Sequence, residues 1–179
     1  AERGARIVFI ARDRKRADDT MAKLRAAGPK ADHTLQMAEL STLSEMKRVG
    51  GELAREPRID VLINNAGAMF GKRHETGDGL EMTFALNHMA YFVITNILLP
   101  RLKPGARIVT VASNAHRGAK LDFSDLQSRR DYSGFPVYCR SKLANILFNR
   151  ELARRAPQGV TANALHPGFG ATRFGDNSG

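Results

Sequence analysis

Residues 59–67 read IDVLINNAG, a continuous apolar run of strand length, Ile59 to Ile63, that passes directly into the polar turn Asn64-Asn65-Ala66-Gly67. A run without polar alternation marks a strand covered on both faces, the pattern of parallel sheets. Upstream, Arg6 to Ala11 (RIVFIA) reads as another such strand, followed by the charged helix Asp13 to Ala27, which Gly28-Pro29 closes. A further strand falls around His33 to Met37, and Thr42 with Glu45 has the spacing of a capping box opening a helix toward Arg55, stopped by Pro57. Downstream, a loop from Gly71 to Gly79 leads to a helix from about Leu80 to Leu99, with Asp78 and Glu81 as cap and first-turn acid. Lys103-Pro104-Gly105 ends it. Arg107 to Val111 is the next strand and ends in Ala112-Ser113; a polar segment from Asn114 to Ser133 follows, then a helix around Tyr138, then a strand from Val160 to Leu165 ending in His166-Pro167-Gly168.

Strands alternating with helices of ten or more residues imply βαβ units. The expected fold is α/β, a doubly wound Rossmann-like parallel sheet with helices on both faces, forming a single domain over residues 1–179. Ligands of such sheets bind outside the carboxyl ends of the strands. The polar turns that follow strand ends, at Arg12, Asn64 to Gly67, Ser113 and His166 to Gly168, are therefore expected along one rim.

With 179 residues, 42% hydrophobic and 26% charged, the composition is that of an ordinary globular domain. The single cysteine, Cys139, excludes an internal disulfide and a cysteine-cluster metal site, and it fits a reducing, cytoplasmic setting. The net charge of +10 invites a polyanion or a phosphorylated cofactor. Its basic residues, such as Arg12, Arg14, Lys15 and Arg16, or Arg154 and Arg155, are interspersed with acids on helices and read as solvated faces. Nucleic-acid binding would need a contiguous basic patch, so none is expected. No N-terminal signal pattern is present, and no apolar run reaches the ~18 residues of a membrane span. The histidines, His33, His74, His88, His116 and His166, lack the spacing of a metal site, and no metal is assigned.

The stretch from Pro136 to Arg150, PVYCRSKLANILFNR, sets Tyr138, Ser141 and Lys142 within one helical turn. Lowering a phenol pKa from ~10 to about 7 or 8 requires roughly 3–4 kcal/mol. An ammonium about 4 Å away is worth roughly 4 kcal/mol at an effective dielectric of about 20, so Tyr138 and Lys142 form a candidate acid/base pair. The same helix has Val137, Leu143, Ala144, Ile146, Leu147 and Leu152 at core-facing spacing, with Arg140, Asn145, Arg150 and Arg154 expected outside. Asn87 falls in an otherwise apolar helical stretch, where a buried amide must find partners.

Taken together, the Asn64 to Gly67 turn, Asn87, Ser113-Asn114-Ala115-His116, the Tyr138/Lys142 pair and SKLANILFNRELARR resemble the short-chain dehydrogenase/reductase family over nearly the whole chain. More narrowly, they resemble its retinol dehydrogenase-like branch. The resemblance implies hydride transfer between NADP(H) and a carbonyl or alcohol substrate. It makes Tyr138 the proton donor, or the base in the reverse direction, and Lys142 the residue that lowers the Tyr138 pKa and holds the nicotinamide ribose. Ser113 would orient the substrate oxygen, and Asn87 would hold a water linking Lys142 to solvent. The family's acidic slot for NAD falls on Ala11 with Arg12 just after it, which favours NADP(H) over NAD(H), although Asp13 could serve NAD after a small register change. Glu39 stands where the family usually has an adenine-contacting aspartate. Asn65, Ala66 and Gly67 would line the adenosine side, and Pro167, Gly168 and Thr172 the nicotinamide side.

Phe135, Val137, Phe169 and Phe174 flank the site and suggest an apolar substrate. Pairing of the long helices between subunits would give a homo-oligomer. The alternatives are a non-catalytic nucleotide-binding or scaffold member of the fold, or an inactive fragment. Family members begin with a strand and a glycine-rich turn that binds the pyrophosphate. Here Ala1-Glu2-Arg3-Gly4 resembles the end of the helix that follows such a turn, and Gly179 comes soon after Thr172. The chain therefore reads as a piece incomplete at both ends, missing a strand between Arg6 to Ala11 and Ile59 to Ile63. Alone it is expected to be unstable or inactive.

Overall fold

The computed structural model describes residues 1–168, in two compact units, Ala1–Leu40 and the part that begins at Ser41. The first unit is one βαβ element: strand β1 (Val8–Ala11), helix α1 (Arg14–Ala27) and strand β2 (Thr34–Met37). The strands are parallel, in register from Val8 against Thr34 to Ala11 against Met37. Asp13 caps α1, its carboxylate accepting from the Arg16 N–H at 2.9 Å, and the Gly28 N–H closes the other end on the Leu24 carbonyl at 2.9 Å. Buried His33 accepts from the Ile7 N–H through Nδ1 at 3.0 Å, which fixes the entry of β1 beside that of β2.

In the second unit follow α2 (Leu43–Leu53), β3 (Val61–Asn64), α3 (Met82–Arg101), β4 (Arg107–Val111), α4 (Gly134–Arg155) and β5 (Thr161–Leu165). Its sheet has the order β3-β4-β5 with every pairing parallel, which sets Asn64 against Thr110 and Val111 against Leu165. The strand ends leading into the Asn64 turn, Ser113 and His166 thus share one edge, as expected for this part of the rim. Ile108, Leu152, Ala162, Leu102, Ala106 and Val160 form a buried core with Leu62 and Phe148 packed against it. The intervening strand positions Val61, Ile63 and Leu165 are exposed, so within this unit the described helices cover one face of the sheet.

The helix boundaries lie within two or three residues of expectation, but two caps are built differently. Thr42 makes no capping bond through its side chain; the Asp78 carboxylate accepts from the Leu43 N–H at 2.8 Å instead. Glu45 binds Arg48. Glu81 is the cap of α3 and not a first-turn acid, its fully buried carboxylate accepting from the Thr83 and Phe84 N–H groups at 2.8 and 2.7 Å. A loop thus caps a helix distant in sequence, which short-range spacing does not encode. A second correction concerns the apolar length of α3. By length and composition Met82–Arg101 could cross a membrane, a test that the core helix of a globular unit also passes; half of its most apolar window is buried against its neighbours.

Helix α3 is not uniform. Residues Ala85–Met89 form a π-helical turn in which the Ala90 N–H reaches back to the Ala85 carbonyl. Such widened turns occur mostly singly and often at functional sites. Helix α4 begins against the loop that leaves β3: a Cβ added to Gly134 would collide with the Phe70 carbonyl oxygen and lie 3.2 Å from the Gly71 Cα. Both are backbone atoms, which a rotamer change cannot move aside. Gly134→Ala is expected to destabilise the protein by about 1–3 kcal/mol in urea or thermal melts, whereas Gly51→Ala, in open space on α2, should raise stability by a few tenths of a kcal/mol.

Candidate active site

Helix α4 buries a polar stripe. Tyr138, Ser141, Lys142 and Asn145, spaced i, i+3, i+4 and i+7, lie on one face and are all withdrawn from solvent. This corrects one part of the sequence reading: Asn145, expected outside, is 0% exposed, while Leu147, expected in the core, is 44% exposed. Val137, Ala144 and Leu152 are buried as expected, and the inward polar groups find their partners on α3 and at the end of β4.

Lys142 is 3% exposed and donates from Nζ to the Val111 carbonyl, the last residue of β4, at 3.0 Å. Its Nζ also lies over two aromatic rings, 5.7 Å from the Tyr138 centroid and 5.9 Å from that of Tyr91. Burial lowers the Lys142 pKa to about 8. Tyr138 is hydrogen-bonded to Ser113, whose Oγ also accepts from the Ala115 N–H at 3.2 Å and so caps the short turn Asn114–His116. The phenol departs from the expected behaviour. Burial raises its pKa, the Ser113 bond opposes this only in part, and the Lys142 charge does not bring it down. The ammonium is turned to the Val111 carbonyl and the two ring faces, and desolvation outweighs the charge attraction that spacing alone suggests.

Asn87 sits on the π-helical turn and is fully buried. Its side-chain amide spans the Ala68 backbone, accepting from the N–H and donating to the carbonyl, both at 2.9 Å, and it donates to Ser141 Oγ at 3.0 Å. The Ser141 hydroxyl passes the chain on to the Tyr138 carbonyl at 2.7 Å. The Asn87 main-chain carbonyl accepts from Asn145 Nδ2 at 2.8 Å. Asn145 Oδ1 lies 3.0 Å from His88 Nδ1, an imidazole whose pKa burial lowers. Tyr91, which spacing did not single out, and Asn64, the first residue of the turn, complete the cluster. Tyr91 donates its hydroxyl to the Ala66 carbonyl at 2.8 Å, and burial holds this phenol well above its ordinary pKa and therefore protonated. Asn64 donates to Thr95 Oγ1 at 3.0 Å and anchors the turn at its base.

Gly67 faces this cluster. A Cβ at that position would lie 3.2 Å from Asn87 Oδ1 and 3.6 Å from Lys142 Nζ, so glycine preserves the approach to the ammonium. An ammonium has three donors, and among the described residues Lys142 uses one in a hydrogen bond. Its remaining donors and the open side of Gly67 fit the hydroxyls of a ribose. Asn65 is exposed beside them, and Ala66 is held by Tyr91. Pro167 and Gly168 are exposed directly after β5, with Gly168 at φ 85°, and Thr172 lies outside the described residues. Phe135 is exposed and stacks on Tyr138, centroids 6.3 Å apart. In the first unit, Arg12, Asp13, Met37, Ala38 and Glu39 line an open hollow at the ends of β1 and β2, with the Arg12 guanidinium 3.8 Å from the Glu39 carboxylate. Among the described residues no group of three histidine, cysteine or acidic side chains could hold a metal ion.

A parallel α/β fold that gathers tyrosine, lysine, serine and asparagine at the strand ends belongs to the doubly wound dinucleotide-binding class. The family model for short chain dehydrogenases matches residues 1–179, and the chain belongs to that family. It is 43% identical over 186 residues to retinol dehydrogenase 14 of Mus musculus, covering 96% of this chain and 56% of the relative, and 41% identical over 172 residues to retinol dehydrogenase 12 of Homo sapiens, covering 94% and 54%. It thus spans about half the length of the curated relatives it matches. Among solved structures, a protein from Mycobacterium Paratuberculosis is similar with a TM-score of 0.80 and 36% identity, covering 99% of this chain and 64% of that one. The Pseudomonas aeruginosa RhlG/NADP active-site complex is similar with a TM-score of 0.75 and 28% identity, covering 98% and 67%.

The depressed Lys142 pKa makes a stability prediction. Between about 8 and the ordinary lysine value of 10.5 the unfolded chain binds more protons than the folded one, so folding becomes more favourable as pH rises through that window. Lys142→Met removes the titration. In urea melts its stability advantage over the parent is expected to be largest below pH 8 and to shrink steadily toward pH 10.

Proposed function

We propose that the protein is an oxidoreductase that moves a hydride between NADP(H) and a carbonyl or alcohol, with Tyr138 as the acid/base group. The observation that carries this reading is the buried Lys142 ammonium, set over the Tyr138 ring with donors to spare beside Gly67. The nicotinamide supplies the hydride when the cofactor is bound. Lys142 would hold its ribose, Asn65, Ala66 and Gly67 would line the adenosine side of the cofactor, and Pro167, Gly168 and Thr172 the nicotinamide side. Ser113, already bonded to Tyr138, would share the substrate oxygen with the phenol and fix its orientation. A phenol kept protonated by burial stands ready as a donor, which suits carbonyl reduction at neutral pH. The relatives' name, retinol dehydrogenase, and the exposed ring of Phe135 beside Tyr138 support an apolar substrate.

The cofactor preference rests on the first unit. Asp13, the carboxylate that could have served NAD, is occupied as the cap of α1. Arg12 projects into the open hollow with about half of its side chain exposed, where a guanidinium can fork onto a ribose phosphate. Glu39 beside it opposes the phosphate, so the preference is graded.

Tyr138→Phe is expected to lower the rate of NADPH oxidation with an apolar aldehyde at least a thousandfold and leave NADPH binding within about threefold; turnover near the parent rate would sink the mechanism. Arg12→Ala should raise the KM for NADPH about tenfold or more while leaving that for NADH unchanged. If Lys142 must be charged, kcat/KM for reduction falls as pH rises through about 8, and a profile flat from pH 7 to 9 would exclude that role.

A further inference from the structure

Asn145 has no assigned part in the chemistry above, yet it is as deeply buried as any residue in the protein. A buried amide without partners costs on the order of 1–3 kcal/mol, a demand that an apolar side chain at the same position would not make. Here both ends of the amide are engaged on adjacent residues of the π-helical turn. Nδ2 donates to the Asn87 carbonyl at 2.8 Å, and Oδ1 lies 3.0 Å from His88 Nδ1. The two contacts fix each other. With Nδ2 committed to a carbonyl, Oδ1 must accept, so His88 carries its proton on Nδ1.

Ser141 lies one turn earlier on the same face of α4 and takes the Asn87 side chain at 3.0 Å. Asn87 is therefore gripped twice by one helix, by its side chain through Ser141 and by its main chain through Asn145. The held residue in turn spans the Ala68 backbone and stands with Lys142 Nζ against Gly67. We infer that Asn145 is a positioning residue for the reaction: it pins the widened turn of α3 to α4 so that Asn87 holds the Gly67-Ala68 backbone in register with Lys142 and Tyr138. The inference rests on the hydride-transfer reading above. It adds to that reading a residue that touches neither substrate nor cofactor.

The test uses the intact protein with Asn145→Leu, which keeps the branching of the side chain at a larger volume and removes both bonds, and Asn145→Asp, which keeps the shape but faces the Asn87 carbonyl with an acceptor. In either folded variant kcat is expected to fall about tenfold, with KM and the NADPH dissociation constant within about threefold, and the amides of Ala85–Met89 to exchange with deuterium at least tenfold faster. A kcat within twofold of the parent together with unchanged exchange would overturn the inference. So would a parallel loss of kcat and NADPH affinity, the mark of general loosening. Tyr138→Phe, run alongside, separates the two ideas. Undiminished turnover there removes the hydride-transfer reading, whereas a dead Tyr138→Phe beside a fully active Asn145→Leu removes only the role of Asn145.

Discussion

An ammonium withdrawn from water is the constraint around which the second unit is arranged. Lys142 loses the hydration of a charged group on burial, and its surroundings offset the loss only in part, as its pKa near 8 records. A strand-end carbonyl, two aromatic faces and a glycine that leaves the approach open are the means. Each comes from a different element: Val111 from β4, Tyr91 from α3, Tyr138 from α4 and Gly67 from the turn after β3. None of these elements can shift without exposing the charge to a worse environment, so the cost of burying one side chain helps to define the geometry of four segments.

The π-helical turn is the complementary device. A regular α-helix uses its carbonyls internally, so a helix packed beside it meets little but side chains. At Ala85–Met89 the ladder widens, and the Asn87 carbonyl is met by Asn145 from α4. Polar bonding between two largely apolar helices gives them a single register, which packing of leucines and isoleucines alone specifies less sharply. That register decides where Ser141 and Lys142 sit relative to Ala68 and Gly67. Stability and chemistry draw here on the same few bonds. A substitution in this layer is therefore expected to act on both.

The strand positions, the α/β class and the Tyr138/Lys142 pair could be read from periodicity, turn residues and spacing, whereas the family resemblance supplied the roles of Asn87 and Ser113 beside that pair. The cap that Asp78 supplies to α2 could not be read so, because it joins a loop to a helix 35 residues away through the tertiary structure and not through neighbouring residues. Tyr91 was hidden for another reason. A tyrosine inside Ala90 to Ile94 looks like one more core aromatic, and only the fold shows its hydroxyl on the Ala66 carbonyl. Asn145 was assigned to the wrong face, since hydropathy places an amide outside unless its partners are known.

What the amino-acid order determined by itself is local and periodic: apolar runs that become parallel strands, helices between them, and a tyrosine and a lysine four residues apart on one of those helices. What the tertiary structure decided is how those groups behave. Spacing predicts a phenol made acidic by a neighbouring cation, but in the folded chain burial raises the phenol pKa and lowers that of the lysine. The physical reason is that charge attraction depends on the distance between two groups, which sequence spacing approximates, whereas desolvation depends on everything packed around them, which only the complete fold supplies.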